Sequence, residues 1–167
     1  MRALIFLICL SIPLVSWADD PEYELIGYRC DAAGARLTIA FKTVKGVDEG
    51  RREIDGWKMW NVGDLVSMKD DDHIGNLRTV EGTCLLGKAN YTVQLGPEPQ
   101  NMNIQGHCGA ADLAAWVAVL RDGRQILPRT ELGPTCPSQA RVTTEVVFDA
   151  RATEPTIKTV DYDEFYR

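Results

Sequence analysis

The chain has 167 residues, 45% of them hydrophobic and 25% charged, with 24 acidic side chains against 18 basic ones and a formal net charge of −6. Its one adjacent basic pair of note, Arg51-Arg52, falls far short of the cationic stripe that counterion release from phosphates rewards, which sets nucleic acid aside as a partner. An acidic surface of this kind serves solubility and suits a basic protein partner.

Residues 1–18 carry the three parts of a secretory signal peptide. Arg2 is the positive n-region, Ala3 to Val15 the apolar run, and Ser16-Trp17-Ala18 the small-residue end, so cleavage is expected after Ala18. The run is shorter than the roughly 20 apolar residues that span a bilayer and is followed at once by Asp19-Asp20, so no membrane span is expected after cleavage. Cys9 lies behind Phe6-Leu7-Ile8, the wrong setting for a lipoprotein cysteine. Removing this segment takes away one arginine and no acid, moving the net charge from −6 to −7 and leaving 149 of the 167 residues. That length fits one domain with a core of its own, placed here at 19–150, with 151–167 as an acidic aromatic tail.

The domain opens on Tyr23 to Cys30, rich in aromatic and branched residues, and Arg36 to Lys42, which alternates with period two. Asp31-Ala32-Ala33-Gly34 between them predicts a turn, and hence a β-hairpin with Leu37, Ile39 and Phe41 on the buried face. Val47 to Trp60 is charged and aperiodic and reads as a long loop with room for one helical turn. Asp64 to Met68 is a short strand broken by Lys69-Asp70-Asp71-Asp72-His73, and Leu77 to Leu86 resumes an apolar pattern. Lys88-Ala89-Asn90 turns the chain into Tyr91 to Leu95, an alternating strand expected to end at Gly96-Pro97, because proline cannot donate to a ladder.

Ala110 to Leu120 has helical spacing as well as strand character, but Asp122-Gly123 decides for a hairpin, since a two-residue turn needs positive φ at both positions. The turn joins Trp116 to Leu120 with Arg124 to Leu127. In Arg141 to Ala150, Val142, Thr144, Val146 and Phe148 alternate as another core strand. About eight strands with short turns and scarce helix predict an all-β fold, an antiparallel β-sandwich or barrel.

With Cys9 lost, Cys30, Cys84, Cys108 and Cys136 remain, an even number in an exported chain and therefore two disulfides. No CxxC half-site or HxxxH pair supports zinc. Of three possible connectivities, Cys30 to Cys84 with Cys108 to Cys136 is preferred, since it joins an early hairpin to its neighbour and a late hairpin to its own return.

No catalytic residue, metal site or cofactor is assigned. His107 beside Cys108 points to the opposite face of a strand from its neighbour, and the cysteine is expected to be oxidised. Asp70-Asp71-Asp72-His73, with Asp64 upstream, has oxygen ligands but lacks a calcium loop's spacing of acids and glycine, so it reads as a solvated turn. Glu81, Asp112 and Glu145 could supply paired carboxylates, a signal of no specificity in an acidic chain. GxSxG, HExxH and a phosphate-binding glycine loop are absent. The binding candidates are Trp57 and Trp60 in Trp57-Lys58-Met59-Trp60, and the polar, proline-stiffened loop Gly96 to His107 with Asn101, Asn103 and His107.

Tyr28-Arg29-Cys30-Asp31, a short turn and then Leu37-Thr38-Ile39-Ala40-Phe41 resembles the opening hairpin of the periplasmic lysozyme inhibitors of the membrane-bound C-type group, over less than a tenth of the chain. Their Ser-Gly-containing inhibitory loop is not found here, so no inhibitory residue is carried over. In size and export signal the chain is also similar to small exported proteins of Gram-negative bacteria, including acidic immunity proteins of type VI secretion effectors. These features make a periplasmic or secreted protein-binding module the leading expectation, as an inhibitor or immunity protein for a cell-wall-directed enzyme. A small periplasmic hydrolase and a structural envelope protein are the alternatives.

Overall fold

The computed structural model describes residues 22–45, 53–54, 56–70, 73–98, 114–133 and 141–161. Strands β1 (Glu22–Asp31) and β2 (Arg36–Lys45) pair antiparallel over their whole length, from Glu22 opposite Lys45 to Asp31 opposite Arg36. Their turn is held by the Gly34 amide, which donates to Asp31 Oδ1 at 2.8 Å. The left-handed position falls one residue later than the expected turn, on Ala35, at φ 53°. Leu37, Ile39 and Phe41 are buried, as the alternation requires.

Strand β2 also pairs with β11 (Arg141–Asp149), where Val146 lies opposite Ile39, and β11 pairs with β12 (Thr156–Asp161). A strand therefore occupies part of the segment read as a tail. On its other side β1 pairs with β4 (Trp57–Asn61), which is edged by the two-residue β3 (Glu53–Ile54). The six-stranded order is β12-β11-β2-β1-β4-β3. This corrects the reading of Val47 to Trp60 as loop throughout. Trp57 and Met59 are buried on one side of β4 while Trp60 packs against the core on the other, and a strand apolar on both faces shows no period-two signal.

A 3-10 turn at Gly63–Leu65 precedes β5 (Val66–Asp70), so this strand begins two residues later than predicted. It pairs only with β6 (His73–Leu77) among the described residues, with Asp70 opposite His73. Asp71 and Asp72 lie outside the described residues.

The second main sheet has the order β10-β9-β8-β7, from β7 (Val80–Leu86), β8 (Ala89–Glu98), β9 (Ala114–Arg121) and β10 (Arg124–Leu132). The β7–β8 turn is at Gly87-Lys88, with Gly87 at φ 63°, slightly earlier than expected. Strand β8 runs through Gly96-Pro97 to Glu98 instead of stopping there. Pairing with β7 ends at Leu95 opposite Val80, so among the described residues Pro97 has a strand neighbour only on the β9 side, where it sits opposite Ala115. A proline is tolerated where one side of the strand is open. The Asp122-Gly123 hairpin forms as predicted, with φ of 50° and 78°.

The sheets face each other across one core. Ile26, Tyr28, Leu37, Ile39, Phe41, Val146 and Phe148 come from the six-stranded sheet, and Cys84, Leu86, Tyr91, Val93, Leu95, Val117 and Val119 from the other. The Cys30–Cys84 disulfide ties β1 of one sheet to the edge strand β7 of the other. The preferred first pairing is thus present, while Cys108 and Cys136 lie outside the described residues. The fold is a disulfide-braced antiparallel sandwich, not a closed barrel. Between the two main sheets only Gly133 and Thr143 form a ladder bridge among the described residues, the Gly133 amide donating to the Thr143 carbonyl at 2.9 Å. No described helix is long and apolar enough to cross a membrane.

Candidate functional site

Trp57 and Trp60 are three residues apart on one strand, which puts their indoles on opposite faces of the six-stranded sheet. They do not line a common surface. Trp57 is on the outer face, only 8% exposed, in a buried cluster with Leu25, Ala40 and Met59. The Arg29 guanidinium lies 5.3 Å and the Lys42 ammonium 4.3 Å from its ring centroid, so two cations cap the indole. Trp60 faces inward, half-buried against the main core and stacked on Tyr28 at 6.2 Å. Asn101, Asn103 and His107 lie outside the described residues, as does Asp112.

Of the candidates for acid and base chemistry, the two described ones, Glu81 and Glu145, lie on different sheets. Glu81 lies on β7 and accepts a hydrogen bond from Gln94 Nε2 at 3.0 Å, whereas Glu145 belongs to the other sheet, opposite Ala40. Among the described residues no group of three or more histidine, cysteine, aspartate or glutamate side chains could hold a metal ion.

A different surface stands out on the outer face of the four-stranded sheet. On β9, Ala115, Val117 and Val119 point into the core, so Trp116 must point away from it. The indole is half-buried and rests on Gly96, its partner across β8 and β9. A Cβ at position 96 would come within 2.8 Å of three indole atoms, so only glycine leaves room for the ring there.

From β10, Arg129 reaches over Trp116 with its guanidinium 4.6 Å from the ring centroid. Arg129 Nε and Nη2 both donate to Glu98 Oε2, at 3.1 and 2.5 Å. Glu131 sits directly opposite Trp116 on β10 and is exposed. Together these residues make an aromatic centre with an acidic rim and one cation already seated on it.

Of the polar loop singled out from the sequence, Gly96 to Glu98 belong to β8, and residues 99–107 lie outside the described residues. The last described pair of β8 and β9 is Glu98 with Ala114, one row beyond Gly96 and Trp116 on the same face. Trp116 does not stand out in the sequence, because it lies within the apolar run Ala114 to Leu120. The available signal was the Asp122-Gly123 register, which assigns alternate faces to Trp116 and Val117 once the hairpin is accepted.

No protein-family model, curated protein or solved structure matches the chain.

Proposed function

We propose that the protein is an exported, periplasmic protein-binding module, acting as an inhibitor or immunity protein for a cell-wall-directed enzyme. The observation that carries this reading is the half-buried Trp116, flanked by Arg129 on the outside of a disulfide-braced sheet. Tryptophan and arginine dominate binding hot spots because they bring large contact area together with directional donors. A sheet surface of this kind is held by its ladders, so little ordering entropy opposes association. The signal peptide and acidic balance support export and a basic partner.

The test is affinity capture from a periplasmic extract with wild-type protein and Trp116→Ala as paired baits, followed by titration of the partner recovered. The expected outcome is one stoichiometric partner whose affinity falls by at least about 2 kcal/mol, roughly 30-fold, in the variant at unchanged melting temperature. Equal binding by both baits would remove Trp116 from the site. A measured turnover abolished by His73→Ala or His107→Ala would replace the binding module with a hydrolase.

A further inference from the structure

We infer that the outer face of the four-stranded sheet docks a cationic segment of its protein partner, with an arginine or lysine of that segment held between Trp116 and Glu131. This deepens the binding reading above and rests on it.

The chemistry of the face argues for that occupant. Among the described residues the face that carries Trp116 holds three carboxylates, Glu98 and Glu131 beside the ring and Glu81 two strands away, against the cation Arg129. Cross-strand register places all three on the Trp116 side: Glu131 opposite Trp116, Glu98 opposite Ala114, and Glu81 opposite Gln94, which in turn is opposite Ala118. Arg129 shows what the surface accepts, since its guanidinium lies over the indole while bonding a carboxylate. That arrangement engages Glu98. The Glu131 carboxylate, on the strand opposite Trp116, has no ion pair or hydrogen bond among the described residues. A second cation arriving from solvent would find an aromatic surface and an uncommitted carboxylate together.

The opposite outer face has the reverse character. There Arg29 and Lys42 crowd over Trp57, and Arg36 lies 3.7 Å from Asp149. The difference between the faces lies in the balance around each ring, two cations at Trp57 against an acidic rim at Trp116, and it favours the four-stranded sheet for a cationic segment.

The experiment is a heteronuclear NMR titration of the full mature protein with a short oligoarginine peptide, using oligoglutamate as the control. The expected result is movement of the Trp116 indole N–H resonance and of amides in β9 and β10, with the Trp57 indole unmoved. Glu131→Gln, an exposed and isosteric change, should weaken the peptide about tenfold, the size of one charge-assisted hydrogen bond. Glu145→Gln on the other sheet should leave binding unchanged, and Trp116→Phe should retain part of it. Shifts spread equally over both sheets, or unaltered affinity in Glu131→Gln, would overturn the inference. If the captured partner depends on Trp116 but ignores Glu131, the binding reading stands and this one falls. If oligoarginine seats at Trp116 while no partner is captured, the surface chemistry stands and the binding reading falls.

Discussion

Asn90 and Asp122 clasp each other through two hydrogen bonds: the Asn90 amide donates to Asp122 Oδ1 at 2.9 Å, and the Asp122 amide donates to the Asn90 carbonyl at 2.8 Å. The tight turn between β9 and β10 is thereby anchored to the start of β8, 32 residues earlier in the chain. Asp122 also adopts φ 50°, which aspartate and asparagine tolerate better than other side chains. Asp122→Ala should therefore destabilise the fold by about 1 to 2 kcal/mol, losing the acceptor and adding strain. Asp122→Asn keeps an oxygen acceptor and the left-handed preference, and should stay within about 0.5 kcal/mol of wild type. Urea unfolding of the three proteins checks both values.

Ala35 offers the opposite case, a residue poorly matched to its backbone. Its φ of 53° places a Cβ where it crowds the following carbonyl, yet no side-chain bond compensates it. Ala35→Gly should raise stability by about 0.5 to 1 kcal/mol, after allowing for glycine's greater freedom in the unfolded chain. A melting temperature equal to or below wild type would show that the β1–β2 turn relaxes around the alanine.

Gly82 on β7 faces Tyr28 on β1 across the core, and the contact requires glycine. A Cβ there would lie 2.0 Å from the Tyr28 hydroxyl oxygen and 2.5 Å from two ring carbons, while the tyrosine itself is only 2% exposed and cannot swing into solvent. Gly82→Ala should cost about 1 to 3 kcal/mol by overpacking. Combining it with Tyr28→Phe, which removes the nearest atom, should recover part of that loss. A double-mutant cycle with coupling below about 0.5 kcal/mol would mean that the sheets simply move apart.

The Cys30–Cys84 bridge closes a loop of 54 residues between the two sheets. Chain entropy alone assigns such a loop about 4 kcal/mol, within the range of 2 to 5 for native bridges in small secreted domains. Replacing both cysteines by serine should lower stability by that order, read by guanidinium unfolding. Thiol labelling of the denatured, unreduced mature protein should find no free cysteine if Cys108 and Cys136 are also paired. Two labelled thiols would leave the first bridge as the only one.

Much of the local structure could be read directly from the residues, because it is decided by neighbours in the chain. Period-two alternation in Arg36 to Lys42 and in Val142 to Phe148 places the same side chains in the core that the fold buries, with Thr144 half-buried among them. Asp122-Gly123 specifies its turn because both residues accept positive φ. The antiparallel class follows from many short strands joined by such turns. The preferred partner for Cys30, Cys84, is the one it has, although the spacing of the cysteines left three connectivities open.

What the sequence could not decide is which strands become neighbours and which faces the sheets turn to solvent. Strand β4 escaped notice because its two tryptophans fall on opposite faces, and β8 outran its proline because β7 begins only at Val80, opposite Leu95. The site depends on the same kind of information. Trp57 looks like a surface anchor until Arg29 and Lys42, from strands far away in sequence, close over it. Trp116 looks like one apolar residue among many until Gly96, Glu98, Arg129 and Glu131 are brought around it by pairing across three strands. Propensity and turn chemistry act over a few residues and are written locally. Sheet order and face-to-face packing are settled by the burial of the whole apolar set at once, so they emerge only in the tertiary structure.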